Sequence, residues 1–189
     1  MEACRNQEVA VLYDAAHVLG LIAGGCFQDP LREGALLITG SVHKTFFGSQ
    51  RGIVLSNVGE GEWRKIDKGA FPGSSSNHHL DTLVPLAVTT YEMMEFGHPY
   101  AQQVLSNAKE LGKQLHALGF KVAAPEFGFT ESHQLAVDVM EFGGGDEVAR
   151  HLKENNIILN MNLLPNEPLE NVANPAGIRL GVQEMTRVG

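Results

Sequence analysis

Two short runs of apolar residues, at 9–13 and 35–39, most constrain how this chain can fold. The first ends at Asp14, and the second is followed by a polar segment that contains Lys44. Continuous apolar runs of this length are typical of strands that are buried on both faces of a parallel sheet. Residues 52–56 predict a third, shorter strand. Because longer connections separate these strands, this part of the chain predicts an α/β fold.

The middle of the chain predicts two helices. Apolar residues recur at helical spacing over 81–96 and again over 99–118, and Gly97-His98-Pro99 is expected to separate the two helices. Glycine, proline and serine predict a turn at 59–62 and a loop at 69–77.

The last third of the chain predicts a smaller α+β unit. Residues 143–145 predict a turn, and Asp146 is a candidate N-cap for a helix that ends near residue 154. Strands are expected at 120–124, 133–139, 157–160 and 178–181. The sequence therefore predicts a large domain over 1–97 and a smaller domain over 98–189.

Composition excludes several classes of function. The 189 residues carry 14 Lys and Arg against 22 Asp and Glu, a formal charge of -8, which argues against nucleic acid or an anionic membrane as the partner. No apolar stretch is long enough to span a bilayer, and residues 1–8 lack the pattern of a signal peptide. Cys4 and Cys26 have no metal-ligand spacing, so no metal site is predicted. A cytoplasmic protein is expected.

Asp14, His17 and Lys44 are the residues best placed for chemistry. Ligands of open α/β sheets bind at the carboxyl ends of the strands, where Asp14 and Lys44 are both expected. A carboxylate and an amine at one sheet edge suit pyridoxal phosphate, which needs a lysine for a Schiff base and a carboxylate at its ring nitrogen. His17 follows Asp14 by three residues and is expected to face the same site.

Each of these residues has a simpler interpretation. Lys44 is also consistent with a solvated loop lysine, Asp14 with a helix N-cap, His17 with a hydrogen-bonded core histidine and Arg51 with a surface charge. The residues and their spacing alone leave these alternatives open.

Several segments, in order from residue 9 to residue 189, resemble the serine hydroxymethyltransferase family. Residues 13–25 resemble its Asp-x-x-His-x-x-Gly-Leu segment, and residues 43–52 resemble its lysine motif. Phe71-Pro72-Gly73 resembles the loop that follows the lysine motif. Three further segments resemble the C-terminal domain: Asn160-Met161-Asn162 with Pro165-Asn166, residues 177–181 and residues 186–189.

The resemblance implies part of the large domain of a fold-type I pyridoxal-phosphate transferase, with a mixed, mostly parallel sheet, and a smaller α+β C-terminal domain. It implies exchange of serine and glycine with tetrahydrofolate as the one-carbon acceptor, in a homodimer or homotetramer. The implied catalytic residues are Lys44, which forms the Schiff base, His43 and His17. The implied cofactor-binding residues are Lys44, Asp14, His17, Ser41, Ser76 and Asn77, and the implied substrate-binding residues are Arg179, Arg51 and Asn162.

The sequence departs from the family pattern in two motifs and in length. It has an extra residue between Gly48 and Arg51, and Ser74-Ser75-Ser76-Asn77-His78 stands where the family has Gly-Gly-Pro. The chain is also expected to be a fragment that lacks the N-terminal part and the C-terminal end of the family's polypeptide. Two alternatives therefore stay open: a folate-independent aldolase or transaldolase acting on threonine-like β-hydroxy amino acids, and a catalytically inactive truncated remnant.

Overall fold

The structure, a computed structural model, describes residues 2–7, 9–77 and 79–189. The chain divides into two units, Met1–Ala101 and Gln102–Gly189, and each is treated by itself below. His78 of the serine-rich motif lies outside the described residues. Within the described part of the chain, no helix has the length and apolar character needed to cross a membrane.

The first unit is built on a mixed, three-stranded sheet. Its strands are β1 (Leu12–Asp14), β2 (Leu37–His43) and β3 (Phe47–Ser56), in that order across the sheet. β1 and β2 run parallel, whereas β2 and β3 are antiparallel with an irregular register between Ser41 and His43. The parallel pair brings the ends of β1 and β2 to one edge, as the sequence predicted.

The prediction that the first strand is buried on both faces is wrong. Leu12 is 58% exposed and Val9 is 56% exposed. Among the described strands, β1 pairs only with β2, so its second edge has no neighbour. β3 is also longer than the predicted strand at 52–56, because its pairing with β2 extends back to Phe47.

The same unit contains several short helices. They are α1 (Glu2–Asn6), α2 (Leu19–Ala23), α3 (Pro30–Glu33) and α4 (Glu60–Lys68). The turn predicted at 59–62 is instead the start of α4, with Gly59 as its N-cap. The loop predicted from residue 69 begins as a wide helical turn over Gly69–Ser74, which contains a cis Phe71–Pro72 peptide bond. The small core beside the sheet contains Ala15, Leu19, Ile38 and Val42.

The long helix α5 (Leu83–Ala117) runs without a break through Gly97 and Pro99, so the helix ending predicted there is wrong. Packing explains the difference. A Cβ on Gly24 would lie 2.5 Å from the Gly97 carbonyl oxygen and 2.6 Å from the Ala101 Cβ, which shows how closely the helix approaches Gly24. Nδ1 of His98 is 2.8 Å from the Gly24 carbonyl oxygen. These contacts override the helix-breaking tendency of glycine and proline.

The second unit contains a four-stranded antiparallel sheet. Its strands are β4 (Lys121–Val122), β5 (Gln134–Asp138), β6 (Asn160–Asn162) and β7 (Gly177–Gly181), in the order β4-β5-β7-β6. The predicted strand at 157–160 is therefore shifted toward the C-terminus. The helices α6 (Gly145–Glu154) and α7 (Gln183–Val188) belong to this unit. Its core contains Val122, Leu135, Val137, Val139 and Ile178.

The N-terminus of α6 is capped from another part of the chain. Its N-cap is Gly144, and Asp146 lies inside the first turn, so the prediction that Asp146 is the cap is wrong. The Asp146 N–H instead donates to Oδ1 of Asn174 at 3.1 Å, and Nδ2 of Asn174 donates to the Gly143 carbonyl. Short 3₁₀ turns complete the fold at Leu80–Thr82, Pro125–Phe127, Met140–Phe142 and Leu169–Ala173.

Candidate active site

Lys44 and His17 meet at the edge where β1 and β2 end. β2 ends at His43, so Lys44 leaves the sheet directly, and His17 follows the end of β1. Nζ of Lys44 lies 3.4 Å from Nε2 of His17, and both residues are partly buried. Lys44 is thus a partly buried lysine of the turn that follows β2, in contact with His17. A neutral imidazole beside an amine can accept a hydrogen bond from it.

Thr45 joins the two segments that carry this pair, and sequence reasoning missed it. It is fully buried, its hydroxyl donates to the His17 carbonyl at 2.8 Å, and it accepts from the Gly20 N–H at 3.0 Å. A threonine next to a candidate lysine was the one signal in the sequence. Its partners are backbone groups far along the chain, which no local pattern reveals.

Asp14 is an exposed residue at the end of β1, at the same sheet edge. Its Oδ1 accepts the Ala16 N–H at 2.9 Å. Within the described residues, Oδ2 has no hydrogen-bond partner, which leaves one carboxylate oxygen for a ligand. Asp14 is not a helix cap, because α2 begins after Val18 without a side-chain cap.

His43 and Ser41 lie on β2, just before Lys44. Nδ1 of His43 is buried and lacks a hydrogen-bond partner among the residues that the structure describes. Ser41 pairs with Gly52 where the register between β2 and β3 becomes irregular. Buried polar atoms are normally hydrogen-bonded, so the orphaned nitrogen of His43 indicates a place where a ligand completes the site.

Arg51 is held by the segment that follows the serine-rich loop. Its Nη1 donates to the His79 carbonyl oxygen and to Oγ1 of Thr82, both at 2.6 Å. Ser49 donates to the Thr82 carbonyl at 2.7 Å. Arg51 is therefore neither a free surface charge nor, in this arrangement, a group whose Nη1 is open to a substrate.

A cavity of about 490 Å³ lies between β2, β3 and the serine-rich loop. The hydroxyls of Ser74 and Ser75 donate to the Ala70 carbonyl, which folds the loop back on its own turn. Ser76 and Asn77, the predicted phosphate-binding residues, are exposed. The cavity is lined by Asn77 and Arg51 but not by Lys44.

Arg179 and Asn162 lie on neighbouring strands of the second unit. Arg179 on β7 pairs with Asn160 on β6, and its Nε donates to Oδ1 of Asn160 at 3.1 Å. Asn162 is exposed and donates to the Leu163 carbonyl. For the described part of the chain, no partner is found for the terminal guanidinium nitrogens of Arg179.

Glu167 organises the loop between these two strands, and it too was missed from sequence. Its Oε2 accepts the Leu164 N–H at 3.0 Å, and its Oε1 accepts the Ala176 N–H at 2.8 Å and Nδ2 of Asn171 at 3.2 Å. The hydrogen bond from Leu164 is the main reason that the pKa of Glu167 lies below its usual value, and those from Ala176 and Asn171 add to it.

Cys26 is a poor candidate nucleophile, although His98 lies beside it. Sγ of Cys26 is 3.6 Å from Nδ1 of His98, and the same nitrogen contacts the Gly24 carbonyl. Burial raises the pKa of the Cys26 thiol, which disfavours the thiolate that reacts. Both cysteines are free thiols, and no chemistry is assigned to them.

Comparison with known proteins shows the family. The family model described as serine hydroxymethyltransferase matches residues 1–189. A serine hydroxymethyltransferase of Archaeoglobus fulgidus is 59% identical over 179 residues, which are 95% of this chain and 40% of that protein. Those of Picrophilus torridus and Thermoplasma acidophilum are 52% and 54% identical over 188 residues, covering the whole chain and 43% and 44% of those proteins.

The chain thus spans 40–44% of the length of these relatives. The family has the fold-type I pyridoxal-phosphate transferase fold, and the mixed sheet of the first unit agrees with it. From the match along its whole length and from the identities above, the chain belongs to the serine hydroxymethyltransferase family.

Proposed function

We propose that this protein interconverts serine and glycine, with tetrahydrofolate as the acceptor of the one-carbon unit and pyridoxal 5'-phosphate as the cofactor. The observation that carries the proposal is the contact of Lys44 with His17 at the edge where the parallel strands β1 and β2 end. Membership of the family supports the same conclusion.

The residues at this edge fit the proposed cofactor. An amine is available at Lys44, and Asp14 has a carboxylate oxygen without a partner among the described residues. The orphaned Nδ1 of His43 adds a polar atom that a ligand would satisfy. An aldehyde cofactor with a basic ring nitrogen needs the first two groups and is compatible with the third.

Each predicted residue has a proposed role toward this cofactor. Lys44 holds it covalently, Asp14 binds the ring nitrogen, His17 packs against the ring, and His43 and Ser41 complete the walls. Ser76 and Asn77 would supply backbone N–H donors to the phosphate of a neighbouring subunit's cofactor. When bound, pyridoxal phosphate acts as an electron sink that weakens the bonds at the substrate's α-carbon.

His17 also orients the amine of Lys44. The two nitrogens are 3.4 Å apart, so an imidazole with its proton on Nδ1 can accept a hydrogen bond from Nζ of Lys44 at Nε2. The neutral form of an amine is the one that attacks a carbonyl.

Arg179 is the residue proposed to bind the carboxylate of the substrate. The guanidinium of Arg179 is oriented through Nε by Asn160, and its terminal nitrogens suit the carboxylate of an amino acid. Asn162 is proposed to contact the tetrahydrofolate. Arg51 contributes by holding the 79–82 segment rather than through Nη1 itself.

The wider assignments are also proposals. Met1–Ala101 would be part of the cofactor-binding large domain, with Gln102–Gly189 forming the small C-terminal domain, close to the boundary expected at 97–98. A homodimer or homotetramer in the cytoplasm is proposed on the family resemblance and the acidic composition. The relatives' names support the hydroxymethyltransferase over a folate-independent aldolase.

The test is conversion of serine to glycine by the purified chain with pyridoxal phosphate and tetrahydrofolate, followed by NMR. We expect Lys44→Ala to abolish conversion, whereas Lys65→Ala, at an exposed lysine of α4, leaves it unchanged. Cleavage of threonine without folate, in the absence of serine conversion, would contradict the proposed activity. A chain that carries the cofactor on Lys44 but converts neither amino acid would contradict the activity and keep the cofactor assignment.

A further inference from the structure

The hydroxyl of Thr45 is both a hydrogen-bond donor and a hydrogen-bond acceptor. Its side chain is fully buried, it donates to the His17 carbonyl, and it accepts from the Gly20 N–H. A hydroxyl has one proton to donate, and here that proton is committed to the main chain beside His17. The Thr45 side chain therefore links the main chain next to Lys44 to both ends of the 17–20 segment.

The backbones of these two segments are in direct contact. A Cβ placed on Gly20 would lie 2.1 Å from the Thr45 carbonyl oxygen and 2.6 Å from the Phe46 nitrogen. No side chain can be accommodated there, so the separation of the two main chains is set by the contact itself. The hydroxyl of Thr45 sets their register along that contact.

The ladder between β2 and β3 does not fix the main chain at Lys44. Its register is irregular between Ser41 and His43, and Lys44 lies in the turn between the two strands. The lysine side chain is long and flexible, so its 3.4 Å contact with His17 needs a fixed starting point. In the described structure, the Thr45 hydroxyl supplies this fixed point, because it is hydrogen-bonded to both His17 and Gly20.

We propose that Thr45 is a positioning residue: its hydroxyl holds the main chain at Lys44 in register with His17, so that the amine keeps its contact with the imidazole. This inference rests on the proposed function in so far as Lys44 carries the cofactor. Thr45 acts through Lys44, because its own hydroxyl is already engaged by the two backbone groups.

Three substitutions separate positioning from simple packing. Thr45→Val keeps the volume and removes the hydroxyl, whereas Thr45→Ser keeps the hydroxyl and removes a methyl group. Thr89→Val is the matched control, because Thr89 is 6% exposed and its hydroxyl donates within its own helix, to the Pro85 carbonyl.

The first measurement needs no cofactor. The chain is treated with a trace of acetic anhydride, and mass spectrometry gives the labelling of Lys44 relative to the exposed Lys65. We expect the labelling of Lys44 to differ from that of Lys65 in the wild type, in Thr45→Ser and in Thr89→Val. In Thr45→Val we expect the two lysines to be labelled to a similar extent. The second measurement is the pyridoxal phosphate concentration that half-modifies Lys44 after borohydride reduction, expected to rise about tenfold in Thr45→Val and to stay within about twofold in Thr45→Ser.

A folded Thr45→Val variant with the wild-type labelling ratio would overturn the inference. If Thr45→Val does not fold, Thr45→Ser decides: a folded serine variant that has lost the wild-type ratio would show that the methyl group, not the hydroxyl, positions Lys44. A wild-type chain that takes no cofactor on Lys44, but whose labelling ratio still depends on the Thr45 hydroxyl, would refute the proposed function and leave the positioning role intact.

Discussion

At the scale of single residues, the chemistry of Lys44 depends on its neighbours. The sequence predicted only that Lys44 and His17 face the same site, because parallel strands bring their carboxyl ends to one edge, and the structure adds their 3.4 Å contact. Thr45 and Glu167 could not be predicted in the same way. Their hydrogen bonds go mainly to backbone groups whose positions depend on the completed fold.

Gly20 is the residue whose substitution should be least tolerated at this site. An added methyl group would meet the backbone of Thr45 and Phe46, so we expect Gly20→Ala to lower the free energy of unfolding by about 2 kcal/mol or more. The control is Gly61→Ala in α4, where nothing lies within 4 Å of the added Cβ. That change should stabilise the protein by about 0.5–1 kcal/mol.

Urea unfolding of both variants measures the difference. Equal stability of Gly20→Ala and the wild type would mean that the close contact between the 17–20 segment and Thr45 does not exist in solution.

At the scale of helices and strands, the predictions hold for elements whose formation depends on the periodicity of apolar residues. They are wrong for elements whose bounds depend on contacts with distant residues. The parallel pair β1 and β2 follows from the two apolar runs. The break expected at Gly97 and Pro99 does not occur, because the close approach to Gly24 keeps α5 continuous. A local rule cannot include a contact with a residue so far away in sequence.

Two substitutions distinguish whether Asn174 or Asp146 caps the N-terminus of α6. We expect Asn174→Ala to lower the free energy of unfolding by about 1 kcal/mol, because it removes the acceptor of the Asp146 N–H. Asp146→Ala should cost about 0.5 kcal/mol or less, since this side chain contributes only through the helix dipole. Thermal unfolding of the two variants tests the order, and a larger loss in Asp146→Ala would restore aspartate as the cap.

The loop between β6 and β7 should depend on pH through Glu167. Its folded pKa is lowered by the Leu164 N–H first and by other donors, so its stabilising contribution is complete above the ordinary value of 4.5. That contribution is lost as the pH falls through the lowered folded pKa. We expect hydrogen-exchange protection of the Leu164 and Ala176 amides to fall in this window.

Two variants serve as controls for this loop. Glu167→Gln should have lower protection at neutral pH and little further change on acidification, because it has no charge to lose. Glu170→Gln, within the 3₁₀ turn Leu169–Ala173, should behave like the wild type. Acid-sensitive protection that persists in Glu167→Gln would assign the effect to another group.

At the scale of the whole molecule, the family could be predicted because several motifs occur in the family's order. No single motif would have been sufficient. The two units differ in the kind of sheet, since one sheet is mixed and the other is antiparallel. Burial was predicted less well. Tyr91 and Met94 of α5 are 73% and 77% exposed. The apolar periodicity predicts a helix here, but it does not indicate which face of that helix is covered.

The most direct test of the account is the site at which pyridoxal phosphate attaches. The chain is incubated with the cofactor, reduced with borohydride and digested, and the modified lysine is identified by mass spectrometry. We expect Lys44 to be modified at cofactor concentrations that leave the exposed lysines, such as Lys65 and Lys153, unmodified. Modification spread over the exposed lysines, with no preference for Lys44, would contradict it.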